Sequence, residues 1–471
     1  MKISFFSSLM LFVLPLSTVR SQDIISVSLL DISTQEETSQ INPLAQNDVE
    51  MYRLLYSTLD ENNEVDTASG LLSIPVLENE SLPLLCYQHG TVSGRNDVPS
   101  NLEGGYQLNL ALASVGYITF TPDLQGLGTS KGSHSYVHSQ STSTYSLDML
   151  IAVQDYLSNN TIPFMENEVY ITGYSQGGHS AMAFHKYLEE HPEYDISVIA
   201  SAPMSGPYSV SDVMLNFTLG EEEYFTPSYI ANIAISYNRH YQLFDELSDF
   251  FVPPYLNKIE EYANEEISLG TLNTYLINTL NQNEGGVYTK NIIKDDILDS
   301  LFSSYPNPIR LALEDNDLFD WTPIAPMQMM YCGSDEQVSF LNATTTEQAM
   351  INNGATNVQA INLDEEGTHG SCIAPATIQT LIFFAGLNNP TETTDPKHKD
   401  IEAYPNPASE YIEVAIDSKT LVLSLQDING RPYKIDQFED QKLSVSELPP
   451  GIYFLVLSQD NMIRRVKFIK Q

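Results

Sequence analysis

The 471-residue sequence predicts an α/β fold: a mostly parallel sheet with helices on both faces, an inserted helical cap, and a small all-β sandwich-like module at the end. Three observations predict it. From Asp48 to Pro207, short apolar runs alternate with amphipathic stretches, as strands joined by crossover helices do. The alternation stops between Tyr208 and Asp320, over a length no simple loop has, and returns at Met327. Beyond the Pro- and Thr-bearing stretch Asn388 to Asp400, the pattern becomes one of short alternating strands and turn residues.

The elements follow in chain order. Met1-Lys2 and the apolar run Ile3 to Leu16 read as a secretory signal peptide, residues 1–21, cut after Ser21 with Val19 and Ser21 at the small-residue positions. Residues 22–47 are polar and weakly patterned, a leader packed against the domain. Asp48 to Leu59 and Ala68 to Val76 are early strands. Leu82 to Gln88 is a compact apolar strand ending at His89-Gly90-Thr91, and Tyr117 to Pro122 is the next. Thr144 to Leu157 places Leu147, Leu150, Ile151 and Tyr156 on one helical face. Val169 to Thr172 runs into Gly173-Tyr174-Ser175-Gln176-Gly177, which opens the amphipathic stretch His179 to Leu188. Ser197 to Ala202 is a further strand, closed by the turn Pro203 to Pro207.

The cap, 208–320, is rich in aromatics and acids, with Tyr224, Phe225, Tyr229, Phe251 and Tyr255 as candidates to line a pocket. Met327 to Tyr331 and Val358 to Leu363 complete the sheet, the methionines there being core packing rather than a ligand stripe. Ile373 to Leu387 is the last helix of a body spanning 22–387, and 388–400 is a linker. The module 401–471 has strands at Tyr411 to Ile416 and Leu421 to Leu425, a turn at Asn429-Gly430, and a closing pair, Ile452 to Leu457 with Ile463 to Ile469.

Composition narrows the function. Sixty-one acidic residues against 21 Lys and Arg give a net charge of -40, the opposite of a nucleic-acid footprint. A solvated acidic surface accounts for it, and no calcium-loop pattern is present. No stretch after the signal has the 18 or more apolar residues of a membrane span, so no transmembrane segment is expected. Three cysteines are too few for a disulfide scaffold. Cys332, ending a strand, and Cys372, three residues past His369, could meet across neighbouring loops, whereas Cys86 reads as a buried free thiol.

A serine between glycines at a strand-to-helix turn is the arrangement that exposes a nucleophile, which makes Ser175 the candidate. A hydroxyl needs a base to take its proton, and the base needs an acid to fix its tautomer. His369, in the loop Glu366 to Gly370 after the last strand, is the candidate base, ahead of His89, His134, His138 and His179. Asp335, after the Met327 to Cys332 strand, is the candidate acid, with Asp364 as its rival. Asp123 is read as tying down the Leu124 to Gly128 turn. The oxyanion formed on attack needs two backbone donors, Gln176 at the helix start and Thr91 after His89-Gly90, with Gly90 and Val92 as competitors for the second.

On Tyr87 to Thr91, Thr121-Pro122-Asp123 with Gly126 and Gly128, Gly173 to Gly178, Gly206-Pro207, Gly333, Asp335, Val338 and His369-Gly370, residues 50–387 resemble the secretory-lipase branch of the α/β-hydrolase superfamily, typified by fungal lipase A-type enzymes. The resemblance implies a Ser175, Asp335, His369 triad, a cap that shapes an acyl-binding tunnel, and hydrolysis of lipid or other carboxylic esters through an acyl-enzyme without metal or organic cofactor. Leu124-Gln125 departs from the aromatic or acidic residues often found there, and the acidic cap departs from a long-chain triglyceride lipase. A serine peptidase of the same superfamily, and a polysaccharide deacetylase or feruloyl-type esterase, stay open as alternatives.

The tail carries Tyr404-Pro405-Asn406-Pro407-Ala408, Ile428-Asn429-Gly430, Leu448 to Tyr453 and the basic Arg464-Arg465-Val466-Lys467. On these it resembles a type A sorting domain of the type IX secretion system. That implies a bacterium of the Bacteroidota, passage through the type IX machinery, and a final place at the cell surface or outside it.

Overall fold

The computed structural model describes residues 23–77, 80–388 and most of 403–471; the expected signal peptide, most of the linker and the Asn429-Gly430 turn lie outside the described residues. Nine strands form one sheet: β1 (Ile24–Ser33), β2 (Val49–Leu59), β3 (Val65–Pro75), β4 (Leu82–Gln88), β5 (Ile118–Pro122), β6 (Phe164–Tyr174), β7 (Ser197–Met204), β8 (Met327–Tyr331) and β9 (Val358–Asn362). Their spatial order is β1-β2-β3-β5-β4-β6-β7-β8-β9. The first three pair antiparallel, β3 joins β5 antiparallel, and every pairing from β5 through β9 is parallel. The central parallel strand β4 reads as a nearly unbroken apolar run because both its faces are covered.

Helices in chain order are α1 (Gln35–Thr38), α2 (Tyr106–Ala113), α3 (Ser139–Asn159), α4 (Gln176–Glu190), α5 (Leu215–Leu219), α6 (Ser228–Tyr241), α7 (Leu256–Ala263), α8 (Leu269–Glu284), α9 (Asp295–Leu301), α10 (Pro308–Glu314), α11 (Leu341–Asn352) and α12 (His369–Asn388). One face of the sheet packs on α3 and α4 through Leu147, Leu150, Val153, Ala181 and Phe184. On the other, α12 brings Ala376, Leu381 and Phe384 against Tyr170, Ala202 and Met330. By length and mean hydropathy, 1.5 over His369–Leu387, α12 could cross a membrane, but it packs against β6, β7 and β8. Met327, Met329 and Met330 are wholly buried in the core.

Two sequence expectations change. The leader at residues 22–47 contains the ten-residue edge strand β1, which leaves Ile25, Leu29 and Ile32 about half exposed and so lacks the alternation that announces a half-buried strand. His369 does not sit in a loop; it is the first residue of α12.

The chain enters β4, moves to β5 on one side, then crosses back to β6 on the other. This reversal leaves a crevice at the carboxyl ends of β4 and β6, where open α/β sheets bind ligands. Between β7 and β8 the chain builds the cap from α5 to α10, around a core of its own that includes Phe250, Phe251, Tyr255, Ile259, Leu272 and Leu276. The tail forms two four-stranded antiparallel sheets that enclose Ile412, Val414, Leu443, Tyr453, Leu455 and Phe468.

Candidate active site

β6 passes into α4 through Ser175, whose φ of 62° and ψ of -123° lie where a side chain is rarely tolerated. The turn survives because its flanks are glycines. A Cβ on Gly173 would stand 2.2 Å from the Gly177 carbonyl oxygen, and one on Gly177 would stand 2.0 Å from that of Gln88. The Ser175 amide donates to the Met204 carbonyl at 2.9 Å, which pins the turn to β7. Ser175 sits at the β4–β6 crevice, buried but for 8% of its surface.

His369 is held beside this turn by the residue before the serine. The Tyr174 hydroxyl donates to the His369 carbonyl at 2.5 Å, and the two rings lie 5.1 Å apart. The His369 ring places Nδ1 2.7 Å from Asp335 Oδ2. A carboxylate only accepts, so the proton resides on Nδ1 and Nε2 is left basic. Asp335 Oδ1 accepts from the amides of Gln337 and Val338 at 3.0 and 2.9 Å, which satisfies its second oxygen. The rival, Asp364, spends its carboxylate on its own turn, accepting from the Glu366 amide at 3.1 Å. A Cys332–Cys372 disulfide joins the end of β8 to α12; Cys86 is free and buried.

Of the expected oxyanion donors, Gln176 opens α4, where the first amides have no intrahelical partner. The loop after β4 does pass the serine: a Cβ on Gly90 would lie 3.8 Å from Ser175 Cβ. The Thr91 hydroxyl pairs with that of Tyr136 at 3.0 Å.

The other histidines are structural partners. His89, wholly buried, faces the Gly90 carbonyl through Nδ1 at 2.7 Å and the Asp123 carbonyl through Nε2 at 3.2 Å. His179 Nε2 donates to the Asn316 carbonyl in the cap at 3.0 Å, and burial pushes the ring down to about 4. His134 donates from Nδ1 to the Gln125 carbonyl and accepts at Nε2 from the Gln176 side-chain amide at 2.8 Å; burial brings it to about 4. His138 stacks on His240 of α6, centroids 3.7 Å apart. Asp123 reaches beyond its own turn, accepting from the Ser69 hydroxyl at 2.5 Å and the Ser100 amide at 3.0 Å, and burial raises its carboxyl.

From Ser175 and Gln176 an apolar cavity runs into the cap, past Met214, Leu219, Ile230 and Tyr237 to Leu301 and Leu313. Tyr224 and Tyr229 line it as expected. Phe251 and Tyr255 do not: they belong to the cap core, and Phe225 is half exposed. Sequence reasoning missed Tyr136, Gln337 and Val338, which also line it. Gln337 and Val338 lie two and three residues past the candidate acid, so the motif around Asp335 was the available signal for them.

Comparison with known proteins now bears on this geometry. Solved structures that resemble the chain include a hydrolase from Legionella pneumophila (TM-score 0.71, 22% identity, 79% of this chain and 100% of that one). The rice cell wall degrading esterase LipA from Xanthomonas oryzae matches with a TM-score of 0.66 and 26% identity over 77% of this chain and 95% of its own. Candida antarctica lipase A in its closed state matches with 0.59 and 14% over 79% and 84%. The body has the α/β-hydrolase fold. Residues 105–234 match the family described as "Serine aminopeptidase, S33". Residues 402–471 match the "Secretion system C-terminal sorting domain", which marks the chain for type IX export to the cell surface or beyond. No curated protein sequence matches the chain.

Proposed function

We propose that the chain is an extracellular serine carboxylic ester hydrolase, a lipase or esterase acting through Ser175, His369 and Asp335. The observation that carries the reading is the His369 Nδ1–Asp335 Oδ2 contact beside a serine on a glycine-flanked turn, with an apolar cavity opening at that serine. Ser175 Oγ attacks the acyl carbonyl while His369 Nε2 takes its proton. The developing oxyanion is met by the Gln176 and Thr91 amides, each such donor being worth about 3 kcal/mol. His369 then protonates the departing alcohol, and water, activated by the same nitrogen, releases the acid. The apolar cavity accommodates the acyl group. Export begins at a signal peptide, residues 1–21, and the sorting tail is removed at the surface of a member of the Bacteroidota.

A peptidase reading draws on the description of the matching family. It asks for a carboxylate to hold a peptide amine, whereas the described residues lining the cavity include no Asp or Glu. An esterase acting on plant polysaccharide draws on the likeness to LipA. One panel separates the three: nitrophenyl acetate, butyrate, octanoate and palmitate, an acetylated xylan and a peptide anilide, with Ser175→Ala as control. Nitrophenyl ester turnover lost in Ser175→Ala is expected. Anilide cleavage with little ester cleavage would move the protein to the peptidases, and equal inertness of wild type and variant would sink the proposal.

A further inference from the structure

One residue of the acid loop uses every polar group it has. The Gln337 amide donates to Asp335 Oδ1 at 3.0 Å, and its Nε2 donates to Glu336 Oε1 at 3.3 Å. Its carbonyl accepts from the Tyr224 hydroxyl at 3.0 Å, and its Oε1 accepts from the Tyr229 hydroxyl at 3.0 Å. Both tyrosines belong to the cap, Tyr229 in the first turn of α6 and Tyr224 just ahead of it. Glu336 Oε2 in turn accepts from the His369 amide at 3.1 Å. Gln337 therefore touches the acid directly, the helix of the base through one side chain, and the cap at two points. Across the cavity the Tyr229 ring lies 6.0 Å from that of Tyr136, the partner of Thr91, so the same tyrosine borders the oxyanion loop.

We propose that Gln337 is a positioning residue through which closure of the cap sets the Asp335–His369 pair. This rests on the ester-hydrolase reading and adds a control to that site. Ser334 and Glu336 on either side of Asp335 are exposed; the body ties the loop at Gly333, Ser334 and Glu336, and the cap holds it at Gln337. The amides of Gln337 and Val338 supply both bonds to Asp335 Oδ1, and their direction follows the orientation of the peptide units at 336–338. With the cap seated, the Tyr224 and Tyr229 phenols fix residue 337 from above. With the cap lifted both phenols withdraw together, the turn loses its outer anchors, and Asp335 loses the donors that aim its other oxygen at His369. Gln337 and Val338 also line the cavity, so substrate that draws the cap shut assembles the acid–base pair in the same movement.

The test uses the full chain with Tyr229→Phe, Gln337→Ala and the two combined, read by steady-state kinetics on nitrophenyl butyrate and by the downfield proton NMR signal of the His369 Nδ1–H. Tyr229→Phe keeps the ring and removes one hydroxyl, so it tests the contact even where Gln337→Ala folds poorly. Each single variant is expected to lose about tenfold in kcat with little change in KM, the scale of a small misplacement of a catalytic group. The combined variant should be no slower than Gln337→Ala, and the downfield signal should shift or broaden in all three. Losses confined to KM, losses that multiply in the combined variant, or an unmoved signal would overturn the proposal. The NMR arm needs no substrate. A wild type inert on every ester would therefore defeat the ester-hydrolase reading while the signal still decides the role of Gln337.

Discussion

At the scale of single residues, the candidate nucleophile was legible because one requirement forces several letters at once. A serine held at φ 62° between a strand and a helix needs bare backbone on both sides, and Gly173 and Gly177 supply it. Gly177→Ala would drive a methyl into the Gln88 carbonyl, so that variant is expected to fold poorly or to displace Ser175 and lose the proposed ester activity, which thermal melting and nitrophenyl butyrate turnover distinguish. Asp335 and Asp364 both follow strands, and the sequence favours Asp335 as the candidate acid with Asp364 its rival; the carboxylate contacts separate them too, one facing His369 Nδ1 and the other capping its own turn. Asp335→Asn should lower kcat by about 10³- to 10⁴-fold through loss of the correct tautomer, while Asp364→Asn leaves kcat near wild type. The reverse ranking would return Asp364 to the acid's place. Tyr136, Tyr224, Tyr229 and Gln337 were not legible as a group, because they come from separate segments and acquire a common purpose only when the cap is seated on the body.

At the scale of elements, the sequence disclosed those whose burial leaves a period or an unbroken apolar run. β4 and β8 lie where the runs Leu82 to Gln88 and Met327 to Tyr331 put them, and α3 extends the Thr144 to Leu157 pattern at both ends. β1 escaped because an edge strand packed on one side shows neither signal. The start of α12 escaped because Gly370 and Ser371 read as loop, although the helix begins on His369 and is tied at once to β8 by the Cys332–Cys372 bond. That bond closes a sequence separation of 40 residues and spans the two segments that carry the candidate acid and the candidate base. Its removal in a Cys332→Ser/Cys372→Ser variant should cost about 4 kcal/mol by the loop-closure argument. Because the lost restraint lies between Asp335 and His369, kcat should fall more than KM rises. Urea melts beside kinetics at 25 °C check both; an unchanged midpoint would mean that α12 is fixed by its packing on β6, β7 and β8 alone.

At the scale of the whole molecule, the cap and body meet across a partly buried, nitrogen-rich layer. His138 on the body stacks on His240 of the cap, His240 Nε2 contacts the Ser135 hydroxyl at 2.8 Å, and Arg239 pairs with Glu61 at 2.7 Å beside them. His179 and His134 complete the layer, bonded to Asn316 and Gln176. Burial is the first cause of a lowered value in all four rings, about 3 for His138 and about 4 for the others, against an ordinary 6.5. The sign follows from where protons bind. Between 6.5 and the folded values the unfolded chain takes up protons that the native state refuses, so stability is whole above pH 6.5 and declines as pH falls below it. The slope is at most about 1.4 kcal/mol per pH unit for each histidine. Asp123 and Asp317, whose carboxyls burial raises, act in the opposite sense, gaining stability as they protonate. Protonation of the surface carboxylates relieves the repulsion of a chain at -40. Most of that relief comes nearer the ordinary carboxylate range of about 4, so the interval from pH 6.5 to 5 sets the four histidines against Asp123 and Asp317 with the surface carboxylates largely ionised. Melting temperature should fall steadily across that interval at constant ionic strength. His240→Asn, which removes one of the four rings and its stack, should melt lower at pH 7.5 yet show a shallower decline. A melting temperature flat from pH 6.5 to 5 would mean that these rings accept protons in the folded state, with water already admitted between cap and body.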